Sequence, residues 1–326
     1  MHRGLINVLC CPECSGDFTI EGVSSSSSEI DDGRLECQRC HAMYPIVGGI
    51  PRFVGSSAYC QPFGFQWNRF RKTQLDSHTR LPLSAERFFE YSGWKNGDLK
   101  DKLVLDAGCG AGRFAEIALS TGARVVAVDY SSAVDACWQN LNSSPNLDVI
   151  QADIYKLPFK PASFDFVYCF GVLQHTPDVK KAFLSLPDKL KTGGRLTVDV
   201  YPKLLLNLIW SKYWIRPFTK RLPQDRLFGL VEVMVKVLLP ISLIVGRIPL
   251  VGRKLRYAIP VANHQPDWPL SPEQVREWAV LNTFDMLAPE HDHPQTHQTL
   301  ASWFKVAGLK DIEVFRRGFY VGRGVR

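Results

Sequence analysis

Two pairs of cysteines near the start of the sequence have the spacing of metal ligands. Cys11 and Cys14 stand in Cys-Pro-Glu-Cys, and Cys37 and Cys40 stand in Cys-Gln-Arg-Cys. Each pair fits a tight turn that presents two thiolates on one side, and two such turns together form a tetrahedral Zn–S4 site. Because four thiolates leave no open coordination position, we expect the Zn2+ to be structural rather than catalytic.

The residues around these pairs offer alternative metal ligands and indicate the cellular compartment. Cys10 and His41 neighbour the pairs, and either one is an alternative ligand at one position. The run from Ser24 to Ser28, followed by acidic residues, predicts a polar loop between two hairpins. No apolar stretch of signal-peptide length precedes the first cysteines. We therefore expect free thiols in the cytoplasm and not a disulfide framework.

Residues 102–113, with the sequence KLVLDAGCGAGR, predict a ligand-binding turn. A short apolar strand ends at Asp106, and Gly108, Gly110 and Gly112 follow before an apolar helix. Glycines permit a tight strand-to-helix turn and let a ligand lie against bare backbone. The spacing differs from the GxGxxG of dinucleotide sites, and Asp106 would repel a pyrophosphate. A cationic or neutral nucleoside ligand therefore fits better.

Further carboxylates follow the next strands. The strand at 124–128 ends at Asp129, 21 residues after the first glycine, a typical distance for a carboxylate that binds ribose hydroxyls. Asp153 stands at the end of the following strand, and for both residues a helix-capping or turn role is the alternative. Further strands at 163–169 and 190–201 complete an alternation of strands and helices. This alternation implies a parallel, doubly wound sheet that binds its ligand beyond the carboxyl ends of the strands.

These five motifs, in order over residues 102–201, resemble class I S-adenosylmethionine-dependent methyltransferases, in the group of the ubiquinone-biosynthesis enzymes. The two cysteine pairs and the segment YPIVGGIP at 44–51 resemble the small zinc-ribbon family whose free-standing members bind and activate methyltransferases. Together the resemblances imply an α/β fold: a doubly wound, seven-stranded Rossmann-like sheet with an N-terminal zinc ribbon and a helical lid insertion. They also imply S-adenosyl-L-methionine and a structural Zn2+ as cofactors.

The methyltransferase resemblance assigns roles to individual residues. In that family the glycines lie under the adenosyl and methionine portions, and the first acidic residue faces the methionine amino group through water. The second acidic residue binds the ribose diol, the third meets the adenine amino group, and the backbone after the fourth strand approaches the methionine end. The implied cofactor-binding residues are Asp106, Gly108, Gly110, Asp129, Asp153, Phe170 and Gly171.

The chemistry that this resemblance implies needs few groups from the protein. A sulfonium methyl group is already electrophilic, so the nucleophile must mainly be close, aligned and deprotonated. His175 follows the fourth strand, and the segment Asn282–His297 holds three histidines and three carboxylates between prolines, which predicts a loop. For His175, a role in the pocket wall or as a cap is the alternative. For the segment, the alternatives are a second metal site at His291–His293 and a solvated loop or interdomain hydrogen-bond network. The candidate bases are His175, Asp285, His291 and His293.

Residues 203–259 are both basic and apolar. The whole chain of 326 residues has a formal charge of +7, from 39 Lys and Arg against 32 Asp and Glu. This segment alone holds eleven cationic against two acidic residues, so the rest of the chain is slightly acidic. Its longest charge-free run, Val237 to Gly246, has ten residues, so we expect no transmembrane span. A substrate-selecting cap, contact with an anionic membrane surface, and RNA binding remain open.

Length and composition bound the organisation of the chain. An apolar content of 45% excludes disorder, and the length indicates about two domains. We predict a zinc ribbon at 1–54, a linker with helices at 55–101, a methyltransferase core at 102–202, a helical substrate lid with a polar loop at 203–296, and the last helix and strands at 297–326.

The function favoured by these features is methyl transfer to an O, N or C nucleophile of a metabolite, sugar or lipid-like molecule. An RNA methyltransferase is one alternative, although the fourth strand lacks the Asn/Asp-Pro-Pro-aromatic motif used on exocyclic amines of bases. A catalytically inactive, cofactor-binding regulator of another methyltransferase is the other. We expect a cytoplasmic protein, peripheral to the inner face of the membrane if the insertion binds lipid. The sequence leaves the oligomeric state open.

Overall fold

Strands and helices alternate through the centre of the chain, as the sequence predicts. The computed structural model describes residues 1–22, 29–55, 60–204, 210–264 and 268–326, so the predicted serine loop, Ser24 to Ser28, lies outside the described residues. The strands are β1 (Phe18–Glu21), β2 (Gly33–Cys37), β3 (Met43–Val47), β4 (Ile50–Pro51), β5 (Leu103–Ala107), β6 (Arg124–Asp129), β7 (Leu147–Gln151), β8 (Phe164–Cys169), β9 (Leu190–Val200), β10 (Lys310–Arg317) and β11 (Phe319–Val325).

Helices precede, flank and extend this set of strands, and short 3-10 turns lie between them. One of these helices, Leu83–Ser92, lies in the linker at 55–101, where helices were predicted. The α-helices are α1 (Gln61–Arg69), α2 (Asp76–Thr79), α3 (Leu83–Ser92), α4 (Arg113–Ser120), α5 (Ala133–Leu141), α6 (Val179–Leu184), α7 (Ser211–Thr219), α8 (Gln224–Gly246), α9 (Gly252–Leu255), α10 (Pro272–Leu287) and α11 (His297–Val306).

The central sheet has seven strands in the order β10-β11-β9-β8-β5-β6-β7. Strands β5 to β9 are parallel, and β5 to β8 are almost wholly buried, whereas β11 pairs antiparallel with both β9 and β10. The predicted doubly wound, Rossmann-like sheet is therefore confirmed. The strand order reverses at β5, because β6 lies on one side of it and β8 on the other. Such a reversal opens a crevice at the carboxyl ends of the strands, where ligands bind.

The N-terminal strands form a second, four-stranded antiparallel sheet, β1-β2-β3-β4. This ribbon packs against the β7 edge of the central sheet, where Phe53 N–H donates to the Gln151 carbonyl at 2.8 Å. Leu9 and Phe159 form a further bridge, and one hydrophobic core contains buried residues of both sheets. The ribbon thereby covers an edge strand that would otherwise present unpaired backbone groups.

The insertion is helical, and it corrects the predicted extent of the polar loop. Residues 282–287 belong to α10, which begins with a capping box at Ser271 and Gln274 and a proline at its first position. The helix continues because Trp278, Phe284 and other apolar residues at helical spacing are buried in the insertion's own core. Helix α10 ends before Pro289, so within the predicted loop only residues 288–296 lack helical structure.

Helix α8 is longer than the ten-residue charge-free run in its sequence suggests. It continues for 23 residues through Pro240, and it is long and apolar enough, by length and composition alone, to cross a membrane. It is the one such helix in the part of the chain that the structure describes. Its two internal charges, Glu232 and Lys236, do not shorten the helix, since charge-free run length is a poor guide to where a helix ends. One face of α8 is buried against the insertion's core through Leu227, Val231, Val235 and Leu239.

Candidate active site

A cavity of about 920 Å3 lies at the carboxyl ends of β5, β6 and β8, where the strand order reverses. The glycine turn after β5 and the first residues after β6 and β8 form one wall. The insertion forms the opposite wall with mainly aromatic and aliphatic residues, and α1 and α3 close one side. The insertion residues that line the cavity include Trp210, Tyr257, Ile259, Val261, His264, Trp268, Trp278, Asn282, Asp285 and Met286.

The turn after β5 depends on its glycines. Gly108 has φ +101°, a left-handed conformation that favours glycine, and a Cβ added there would lie 2.2 Å from Val172 Cγ2. Gly110 has φ +51°, and its added Cβ would lie 3.3 Å from Trp67 Nε1. The N–H groups of Gly108 and Cys109 donate to the Val128 carbonyl at the end of β6. The turn is thus held against the neighbouring strand with bare backbone facing the cavity.

Asp129 lies at the end of β6 and lines the cavity. Its Oδ2 accepts a hydrogen bond from Gly110 N–H at 3.0 Å, and its Oδ1 accepts from the N–H and Oγ–H of Ser131. Burial raises the pKa of Asp129, and these hydrogen bonds oppose that effect. Because each carboxylate oxygen accepts more than one hydrogen bond, Asp129 keeps capacity for a ligand hydroxyl.

The two other predicted acids lie beside the cavity and not among its lining residues. Asp153 Oδ1 accepts from Tyr155 N–H at 2.9 Å and caps a short 3-10 helix, while its neighbours Ala152 and Ile154 line the cavity. Asp106 is buried in β5, and its Oδ2 has no hydrogen-bond partner among the described residues. Burial raises the pKa of Asp106 to about 8. An adenine contact for Asp153 and a methionine contact for Asp106 stay predictions.

We expect Asp106 to make the apoprotein less stable as the pH rises. Between about pH 4, the ordinary pKa of an Asp, and the folded value of about 8, the folded state binds a proton that the unfolded state has lost. Stability therefore falls as the pH rises through this window, and Asp106→Asn removes the effect. Melting temperatures from pH 5 to 8 should decline less steeply for Asp106→Asn than for the wild type or for the surface variant Asp101→Asn. Equal slopes in all three proteins would contradict the assignment.

The four candidate bases separate into two groups. His175 and Asp285 line the cavity, and Asp285 Oδ1 accepts from Gln66 Nε2 at 2.9 Å. His175 Nδ1 lies 3.0 Å from the backbone oxygen of His291. A carbonyl oxygen can only accept, so in the neutral imidazole ring Nδ1 carries the proton and Nε2 has the lone pair that a base needs.

The rings of His291 and His293 pack on each other at 5.6 Å and are not among the cavity-lining residues. Between them, the buried carboxylate of Asp292 lies 2.8 Å from Lys212 Nζ and also pairs with Arg216. Asp292 thus links the loop at 288–296 to the insertion, in agreement with the predicted hydrogen-bond network. The alternative metal site is not formed there, since the one potential cluster of three or more metal ligands in the described ranges is formed by cysteines.

Two arginines in the cavity have no counterpart in the sequence predictions. Arg87 on α3 pairs with Asp199 at 2.5 Å, and Asp199 also accepts from Gly171 N–H. Arg113, at the start of α4, donates to Ser84 Oγ and a glutamine oxygen but forms no ion pair within the described ranges. Burial lowers the pKa of Arg113 to about 9. Arg113 follows the glycine turn directly in the sequence. This position could have been used to predict a cationic residue that suits a ligand carboxylate.

The cysteine pairs come together as predicted. The Sγ atoms of Cys11 and Cys40 are 3.6 Å apart, those of Cys14 and Cys37 are 3.4 Å apart, and all four lie within 4.8 Å of one another. Tetrahedral coordination with Zn–S bonds of about 2.3 Å would separate the sulfurs by about 3.8 Å, so the cluster fits Zn2+. Cys10 lies outside the cluster.

The regions that contain the glycine turn and the cysteine cluster both match known protein families. Residues 105–198 match the family described as methyltransferase domain, and residues 2–49 match the family described as Trm112p-like protein. The chain joins a Trm112p-like domain to a methyltransferase domain. Both resemblances inferred from the motifs are thereby confirmed.

Curated relatives match only part of the chain. A sterol 24-C-methyltransferase of Saccharomyces cerevisiae is 28% identical over 180 residues, which cover 53% of this chain and 44% of the relative. A mitochondrial ubiquinone biosynthesis O-methyltransferase of Schizosaccharomyces pombe is 31% identical over 141 residues, covering 42% and 49%. A tRNA U34 carboxymethyltransferase of Ruthia magnifica is 31% identical over 131 residues, covering 39% and 40%. The chain thus spans less than half the length of each relative, and their names point to different acceptors.

Proposed function

We propose that this protein is an S-adenosylmethionine-dependent methyltransferase that acts on a small, largely apolar acceptor. The observation that carries the proposal is the single cavity with two unlike walls: a glycine turn with Asp129 on one side, and a wall of aromatic and aliphatic residues on the other. The first wall suits a nucleoside cofactor, and the second suits an apolar molecule.

The residues present fit the cofactor. Gly108 and Gly110 offer bare backbone, and Asp129 offers carboxylate oxygens for a ribose diol. Asp106 supplies a buried carboxyl near the turn, and Arg113 supplies a cation for the methionine carboxylate. When bound, S-adenosylmethionine supplies a sulfonium methyl group that a nearby nucleophile can take.

The chain's own residues then position the acceptor and accept its proton. Trp278 is buried at the acceptor wall, and His264 stacks on Trp268 with 4.2 Å between ring centroids, which leaves broad apolar ring faces for the acceptor. His175 Nε2 holds the free lone pair, so His175 is our first candidate for a base that takes a hydroxyl or amine proton, with Asp285 the second.

The insertion serves as the lid over this site. Seven residues between Arg256 and His264 line the cavity. The ion pair between Lys212 and Asp292 ties the insertion to the loop whose His291 carbonyl orients His175. Lid and base are therefore linked by a short chain of contacts. Exclusion of water by the lid would strengthen electrostatic interactions with the acceptor.

We also propose that the cysteine cluster holds one structural Zn2+. Four sulfurs at these separations fill a tetrahedral shell, which leaves the ion no position for a substrate. The role of this ion is to hold the ribbon on the β7 edge of the sheet, away from the chemistry.

The acceptor class can be identified by label transfer. The protein is incubated with methyl-labelled S-adenosylmethionine and with separate organic-soluble, aqueous small-molecule, RNA and protein fractions of a host extract. We expect label in a small-molecule fraction, and mainly in the organic-soluble one. Label in RNA alone would refute the acceptor assignment, and no label in any fraction despite cofactor binding would favour a regulator without activity of its own.

A further inference from the structure

The outer face of α8 is apolar and uncovered. Leu230, Val233, Val237, Ile241 and Ile244 recur at intervals of three and four residues, which places them on one side of the helix. All five are exposed, with Val233 60% and Val237 57% accessible. The row extends about 21 Å at 1.5 Å per residue. Soluble domains rarely leave such a continuous apolar row uncovered, so the face has a partner.

The segment after α8 extends the same kind of surface. Ile248, Val251 and Leu255 are exposed, and Leu250 is 100% accessible with φ +67°. A leucine held in a left-handed conformation with its whole side chain in solvent is unfavourable in water alone. We call the α8 row and these four residues the apolar patch.

Positive charge surrounds the patch. Arg226 stands four residues before the first residue of the α8 row, Arg247 stands three residues after the last, and Lys236 and Lys254 are also exposed. Long cationic side chains at the ends of an apolar row can extend to phosphate groups while the row stays in an apolar phase. Asp225 and Glu232 are the acidic residues of α8, so the helix and the segment after it carry a net positive charge.

We infer that the apolar patch binds the surface of an anionic lipid bilayer, with α8 lying in the plane of the interface. The opposite face of α8 is buried through Leu227, Val231 and Val235 against the core that contains Trp278. To cross the bilayer, the helix would have to leave that core. A helix with one face in its own domain and the other uncovered lies on a membrane instead.

Two other occupants fit the patch less well. A second copy of the chain in a symmetric pair would bring like charges together, because both copies would present the same cations. RNA binding uses aromatic rings on which bases stack, whereas the α8 row consists of valine, leucine and isoleucine.

The patch also adjoins the cavity. Residues Arg256, Tyr257 and Ile259, which line the cavity, follow Leu255 directly. A lipid-like acceptor would therefore meet the cavity mouth beside the bilayer. Membrane binding itself needs neither cofactor nor acceptor, so it is tested separately from the proposed methyl transfer.

The test is flotation of the full chain with vesicles of phosphatidylcholine alone and of phosphatidylcholine mixed with phosphatidylglycerol. We expect binding to the anionic vesicles that weakens as salt increases. Introducing Asp at both Val233 and Val237 should lower the bound-to-free ratio by about tenfold or more. The matched control introduces Asp at Met43 and Val306, which are 59% and 64% accessible and lie in the ribbon and on α11. It adds the same charge and should change the ratio less than about twofold.

Three results would overturn the inference. One is a wild-type protein that stays with the unbound fraction at low salt. Another is equal binding by the patch variant and its control. The third is loss of a dimer, or of RNA binding, in the patch variant while vesicle binding is unchanged, because the patch would then have that other partner.

Discussion

Replacing Gly108 by alanine should lower the affinity for S-adenosylmethionine by about a hundredfold or more. The new Cβ would lie 2.2 Å from Val172 Cγ2 and 2.8 Å from its Cγ1, and the residue would keep a φ of +101° that alanine rarely adopts. The turn must then move, which displaces the bare backbone that faces the cavity. A loss of affinity of about a hundredfold or more corresponds to roughly 3 kcal/mol, which backbone strain and the clash with the Val172 side chain together can supply.

The chain offers a matched control in Gly193. Its φ of +78° is also left-handed, but an added Cβ there would meet no atom within 4 Å. Gly193→Ala should therefore cost about 1 kcal/mol of stability from strain and leave cofactor affinity unchanged. Adding Val172→Ala to Gly108→Ala removes the two clashing methyl groups and should restore part of the affinity. Calorimetric titration after a thermal check of folding measures all four proteins, and normal affinity in Gly108→Ala would refute the role given to the turn.

Losing one thiolate of the ribbon should destabilise the whole protein and not the ribbon alone. Cys37 is buried in the cysteine cluster and belongs to the core that continues from the ribbon into the central sheet. Binding of structural Zn2+ contributes folding free energy directly. Cys37→Ser should lower the melting temperature by about 10 °C or more, and a strong chelator should have a similar effect on the wild type.

Cys10→Ser is the matched control for Cys37→Ser, because it removes a buried thiol that is not a metal ligand. Cys10 is buried one residue before a ligand, but its sulfur lies outside the cluster. Its serine variant should keep one zinc per chain by mass spectrometry and melt within a few degrees of the wild type. Full zinc content in Cys37→Ser, or two separate melting transitions in the wild type, would contradict a metal-held ribbon that shares the core.

Local patterns sufficed for the central sheet and for the cysteine cluster. The glycine turn, the acids at strand ends and the CxxC pairs each act within a few residues, so their spacing predicts their structure. The last strands were predicted within 297–326, and β10 and β11 lie there, from Lys310 to Arg317 and from Phe319 to Val325.

Features that depend on distant contacts were missed or placed wrongly. Residues 282–287 were assigned to the polar loop, yet they are helical because Phe284 and Leu287 are buried in the insertion's core. The orientation of His175 depends on a backbone oxygen 116 residues away, and the docking of the ribbon depends on Gln151. No local spacing encodes these pairings, since they arise only when the elements pack together.

Titration of the purified protein with S-adenosylmethionine tests the central claim most directly. The cavity predicts one site per chain, an affinity about tenfold or more weaker in Asp129→Ala, and a smaller change in Ser131→Ala, which keeps the Asp129 carboxylate and removes one of its hydrogen bonds. An undetectable affinity in the wild type, or the same affinity in Asp129→Ala, would contradict a cofactor site at the ends of β5 and β6.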